Sequence, residues 1–171
     1  MMAPPALSLL MESLPLFEID MSHFTCTKRF SEICVAHRNW NSGTHCALIH
    51  GYARNVEITI QASHLDKAQW VVDLGDLKFV RHLLERQWDH RLLVASDDPL
   101  LEDMRALEEK GALSLNVMDI SKGWGPGLEG SCQFLYDHID QELRAKTQSR
   151  CRVIKVEIWE KTDNRAALVI E

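Results

Sequence analysis

From Phe24 onward the chain alternates. Phe24, Cys26, Lys28 and Phe30 share one parity and Thr25, Thr27 and Arg29 the other, which predicts a strand over about 22–35. Val56, Ile58 and Ile60 repeat the pattern and predict a second strand over about 53–62. A loop of this length between two long strands predicts an antiparallel pair. After a turn region over 64–69 and the apolar run Trp70-Val71-Val72, the period changes. Leu74, Leu77, Val80, Leu84 and Trp88 fall at helical spacing behind Asp73, a good N-cap. Asp97-Asp98-Pro99 opens another helix that Gly111 closes. Leu113 to Val117 alternate weakly, as a short strand would. The breaker run Gly123-Trp124-Gly125-Pro126-Gly127 precedes Leu128, Cys132, Leu135, Ile139 and Leu143, one more amphipathic helix. Strands over about 151–159 and 166–170, joined by an Asp- and Asn-containing turn, close the chain.

Strands, then helices, then strands predict an α+β fold: a four-stranded antiparallel sheet with helices on one face. A small open sheet leaves edges to cover, so a homo-oligomer is expected. Residues 1–20 carry Pro4, Pro5 and Pro15 and lack a positive n-region. They are expected as a poorly ordered tail before a single domain over 21–171, not as a signal peptide.

The chain has 171 residues, which suits one domain with a sizeable core. Its net charge of -6 and lack of a basic run argue against nucleic acid or an anionic membrane as partner. A small anionic substrate stays open, because it needs only a few local Lys or Arg. Five cysteines in irregular spacing, with no CxxC pair, fit free thiols in a reducing compartment. No apolar run is long enough to span a bilayer. A cytoplasmic protein is expected.

The chemistry concentrates between Ala36 and Ile60. His37, His45, His50 and Cys46 lie in and around a Gly-punctuated loop at the mouth of a strand. Such donors read as a metal site, a nucleophile site, or both. The alternative is a polar surface loop rich in histidine. Asp89-His90 at a helix end and Glu160 at a strand end complete the candidates. As plain structure, His90 would complement a helix dipole and Glu160 would be a solvated charge.

Ala36-His37-Arg38, Gly43-Thr44-His45-Cys46, His50-Gly51, Val71-Val72-Asp73, Leu77-Lys78, Asp89-His90 and Trp159-Glu160 occur in an order that resembles the 6-pyruvoyltetrahydropterin synthase / 6-carboxytetrahydropterin synthase family. The resemblance runs over nearly the whole chain from Phe24. It implies the tunnelling fold (T-fold), an oligomeric barrel, typically a hexamer, and a site between subunits. It implies a lyase acting on 7,8-dihydroneopterin triphosphate with zinc held by histidines. Cys46 would match the proton-abstracting cysteine, Asp89 and His90 its relay, and Glu160 the carboxylate that anchors the pterin ring. Glu129 matches a further substrate-side acid. Arg38, Arg54 and Lys28 are candidates to meet the triphosphate. The loop around Cys46 favours the 6-carboxytetrahydropterin branch, which leads toward deazapurines such as queuosine precursors; the other branch leads toward tetrahydrobiopterin.

The sequence departs from the family pattern twice. Where the family has His-Gly-His, this chain has His50-Gly51-Tyr52, so the metal set becomes His37, His50 and Tyr52, with His45 as a nearby substitute. A phenol, with a reference pKa of ~10, binds zinc well only as phenolate. Pro126-Gly127-Leu128-Glu129 has Gly127 where a Thr is common. These departures keep a second reading open: a diverged, non-catalytic pterin-binding or scaffold member of the same fold.

Overall fold

The computed structural model describes residues 23–171, so the tail expected over 1–20 lies outside the described residues. β1 (Phe24–Arg38) and β2 (His50–Ala62) form the expected antiparallel pair, and both are longer than the alternation predicted. β2 then pairs with β5 (Cys151–Lys161), and β5 with β6 (Asn164–Val169), all antiparallel. On the other side of β1 lie β3 (Arg91–Ala95) and β4 (Leu115–Met118), both parallel to it. The order is β4-β3-β1-β2-β5-β6.

This corrects the expected four-stranded antiparallel sheet: the sheet has six strands and is mixed. The reason lies in Arg91–Ala95. Four of its five residues are buried, so both faces are apolar and no alternation marks the segment as a strand. β3, α2 (Leu101–Glu109) and β4 make one crossover unit with its own small core of Leu92, Val94 and Met104.

The main core lies under α1 (Lys78–Gln87) and α3 (Leu128–Thr147). Leu77, Val80, Leu84 and Trp88 from the α1 region meet Leu135, Ile139 and Leu143 of α3 above Val56, Ile58, Ile60, Val156 and Ile158 of the sheet. Asp73 caps as expected, accepting from Gly75 N at 2.7 Å, but it caps a single 3-10 turn that leads into α1. The opposite sheet face is polar. Thr27 meets Thr59 at 3.2 Å, and Arg152 donates to Gln61 at 2.7 Å. Among the described residues no helix is long and apolar enough to cross a membrane.

One irregularity sets up the site. The β1–β2 register slips between Phe30 and Ile33, with Glu32 at φ 61°. A bulge of this kind reverses side-chain parity along the strand. Before it, Phe30 points into the core; after it, Ile33 and Val35 do, and His37 follows them. Without the bulge His37 would face the polar side.

Candidate active site

His37 and His50 are direct partners in the β1–β2 ladder. On β2, His50, Tyr52 and Arg54 share the parity of Val56, Ile58 and Ile60, so they extend the core face to the end of the sheet. Glu160 does the same on β5 behind Val156 and Ile158. Four strand-borne polar residues therefore converge where the apolar face ends.

Their contacts are close. The His37 and His50 ring centroids lie 4.2 Å apart. The Tyr52 ring lies 6.0 Å from His37 and 5.7 Å from His50. Glu160 Oε1 approaches His37 Nε2 to 3.4 Å and accepts from Arg54 Nη2 at 2.7 Å. Arg54 also donates to Ser131 Oγ at 3.2 Å and to Pro126 O at 3.0 Å, which ties β2 to the turn before α3. Lys161 Nζ stands 5.8 Å from the centre of the Tyr52 ring.

Charge and protonation follow from burial. His37 is 3% exposed. Burial first, then the neighbouring Arg54 and His50, push its imidazole down to about 3, so it is neutral near pH 7. Its Nδ1 is buried without a hydrogen-bond partner. With the Glu160 acceptor beside Nε2, the proton is assigned to Nε2 and the Nδ1 lone pair is bare. His50 donates from Nδ1 to Leu48 O at 2.7 Å, which leaves its Nε2 bare. Two neutral imidazoles, each oriented by a second contact through its other nitrogen, suit a divalent metal. The third donor is the departure. Among the described residues no three His, Cys, Asp or Glu side chains gather as a metal site, and the group beside the pair is Tyr52. His45 is exposed on a 3-10 turn, His45–Ala47, and makes no ring contact with the pair. The residues present fit a metal through two imidazoles and a phenolate.

Cys46 lies in that same turn. Thr44 caps it, accepting from Cys46 N at 3.2 Å, and Asn39 N donates to Cys46 O at 2.9 Å. The loop is thus folded back against the end of β1, two residues past His37. Arg38 pins it further, donating to Ala47 O and to the buried carboxylate of Asp98 at 2.8 Å. Cys46 is half-buried. Cys26, Cys132 and Cys151 are different: burial pushes all three thiols up, Cys132 to about 12.

Asp89 and His90 sit elsewhere. Asp89 Oδ1 accepts from Cys34 N at 3.2 Å and lies 3.2 Å from His90 Nδ1, while His90 is 80% exposed. Cys34 is three residues before His37 on β1, roughly 10 Å along a strand. Within one chain the pair does not touch Cys46. Glu129 is exposed on the first turn of α3 and makes no contact with Glu160 or the imidazoles.

The candidates for triphosphate contact are corrected. Arg54 is fully buried and paired inside the protein, Arg38 is held by Asp98, and Lys28 donates to Leu74 O near the opposite end of β1. Arg54 carries a signal that the sequence did contain, since its parity with Val56 and Ile58 puts a cation on the core face. The largest cavity, about 620 Å³, is also away from these residues, at the Phe24 end of β1 among Cys26, Leu65, Trp70 and Val72.

A family model described as 6-pyruvoyl tetrahydropterin synthase matches residues 25–170. The chain belongs to that family. The match spans both halves of the site, from β1 to β6. The chain is 25% identical over 123 residues to the 6-carboxy-5,6,7,8-tetrahydropterin synthase of Aquifex aeolicus, covering 71% of this chain and 74% of that one. The enzyme of the same name from Rickettsia felis is 34% identical over 74 residues, 43% of this chain and 53% of its own length. Among solved structures, an uncharacterized protein from Wolinella succinogenes superposes with a TM-score of 0.73 at 19% identity, covering 88% of this chain and 99% of that one. At that identity the likeness concerns the fold, and the neighbours include synthases of this family.

Proposed function

We propose that the chain is a tetrahydropterin-forming lyase that takes 7,8-dihydroneopterin triphosphate and releases triphosphate. The observation that carries this reading is the convergence of His37, His50, Tyr52 and Glu160 at one sheet end, in a chain of this family. Of the two family products, 6-carboxytetrahydropterin is favoured over 6-pyruvoyltetrahydropterin, since the Aquifex and Rickettsia relatives carry the former name.

His37, His50 and Tyr52 would hold a zinc ion, which when bound supplies a positive charge that polarises the side-chain oxygens of the substrate. The Cys46 thiolate takes a proton from the side-chain carbon beside such an oxygen. His90, oriented by Asp89, returns a proton to the neighbouring carbon. Triphosphate departs with the electron pair of its C–O bond. Glu160 accepts N–H donors from the pterin edge and Glu129 lies on the substrate side. Because Asp89–His90 and Cys46 do not touch within one chain, a second copy brings them together, so the active form is a homo-oligomer, with a hexamer expected.

The test is mass spectrometry of products from zinc-loaded protein and 7,8-dihydroneopterin triphosphate. Inorganic triphosphate together with a 6-carboxy or 6-pyruvoyl product supports the reading. Tyr52 in the metal set favours the second reading, a pterin binder without turnover. That outcome would show as retained pterin with neither bound zinc nor product.

A further inference from the structure

Arg54 is the least expected residue near the site. Its side chain is 0% exposed, and an arginine is almost never fully buried unless it is paired. Its carboxylate partner is Glu160, and the contact is made to Oε1 alone, at 2.7 Å. Two neutral acceptors, Ser131 Oγ and Pro126 O, hold the rest of the fork. The guanidinium also lies 5.9 Å from the centre of the Trp88 ring, inside the core. A planar donor fixed at three points on two elements cannot turn to follow its partner, so the partner must conform to it. Oε1 must therefore be an acceptor facing Arg54, and it also lies beside His37 Nε2. Oε2 has no protein partner among the described residues, and Glu160 is 12% exposed.

We propose that Arg54 is a positioning residue that fixes which atom of residue 160 meets the ligand, and so sets the polarity of ligand recognition at this site. The inference rests on the reading that Glu160 meets the pterin ring. Arg54 does not touch the ligand. It takes Oε1 out of play and presents Oε2 as a lone acceptor, which selects a ring edge that donates N–H. A 2-amino-4-oxopteridine has such an edge. A 2,4-dioxopteridine replaces the amino donor with a carbonyl acceptor and is disfavoured.

The lock has a consequence that ordinary packing does not. In a Glu160→Gln chain, the amide oxygen must take the place of Oε1, because two donors cannot face each other. The NH2 group then points at the ligand. An unlocked glutamine would instead flip to present whichever end the ligand prefers. The test is binding of pterin and lumazine, its 2,4-dioxo counterpart, to the full-length parent and to Glu160→Gln, read by ligand fluorescence.

The expected result is inversion. The parent prefers pterin, and Glu160→Gln prefers lumazine, with pterin affinity reduced about tenfold or more, the size expected for a charge-assisted hydrogen bond. If Glu160→Gln binds both ligands more weakly but still prefers pterin, the amide flips freely and the proposal is overturned while the anchor reading stands. If neither affinity changes, Glu160 does not meet the ring, and the anchor reading falls with the proposal. Should Glu160→Gln fail to fold, Arg54→Lys carries the test, because it keeps the charge and loses the planar fork. A loss of pterin affinity of about tenfold supports the proposal, and unchanged affinity overturns it.

Discussion

His37 and His50 stand directly opposite each other across the β1–β2 ladder, and the bulge at Phe30–Ile33 puts both imidazoles on the core face. Neither has a lone pair to spare for the protein at the nitrogen left bare. The metal set therefore depends on both. Each of His37→Ala and His50→Ala should lower zinc from about one per chain to near zero by elemental analysis of dialysed protein. Tyr52→His replaces the phenol with an imidazole and should raise zinc affinity. An unchanged affinity would remove Tyr52 from the set.

Stability should fall in acid because of His37. Its pKa is about 3 in the folded chain and 6.5 unfolded, so between these values the unfolded chain binds the extra proton. Stability from this group is complete above 6.5 and is lost as pH falls toward 3, by roughly 1.4 kcal/mol for each pH unit. Denaturant titrations of EDTA-treated protein across this range check the slope. A His37→Gln chain should lose that component of the slope.

Gly130 lies against Gly125, and a Cβ there would run into the Gly125 backbone. That contact lets the turn after Gly123 close onto α3, where Ser131 donates to Gly125 O at 3.1 Å and accepts from Arg54. Gly130→Ala should destabilise by about 1–3 kcal/mol, the cost of overpacking. Thermal unfolding measures it, and a melting temperature equal to the parent's would show that the turn yields freely.

Much of this layout was legible in the sequence. Alternation marked β1 and β2, and helical periodicity marked α1 and α3, because each buries one face only. β3 was not legible, since Leu92, Leu93, Val94 and Ala95 are all buried and show no period. Its parallel pairing with β1 and β4 is a tertiary choice that no local pattern encodes. The imidazole pair was visible as a cluster, but its convergence depends on a one-residue slip in register. Arg54 was taken for a surface cation because its charge outweighed its parity. The separation of Asp89–His90 from Cys46 follows from where β3 begins, so it was hidden with β3.

Thiol reactivity separates Cys46 from the core cysteines. Cys132 donates to Ala166 O at 3.7 Å and Cys151 to Val71 O at 3.1 Å, both inside the protein, and burial raises both. Iodoacetamide on native protein should modify Cys34 and Cys46 first, with Cys132 and Cys151 protected until unfolding. Peptide mapping reads the order. Early labelling of Cys132 would contradict the packing.

The most direct measurement is triphosphate release from 7,8-dihydroneopterin triphosphate by the zinc-loaded parent chain beside its Cys46→Ala and His50→Ala variants. The account predicts release by the parent and a loss of about 100-fold or more in each variant, as expected when a proton-transfer group or the metal is removed. Release that persists undiminished in His50→Ala, or none at all from the parent, would contradict it.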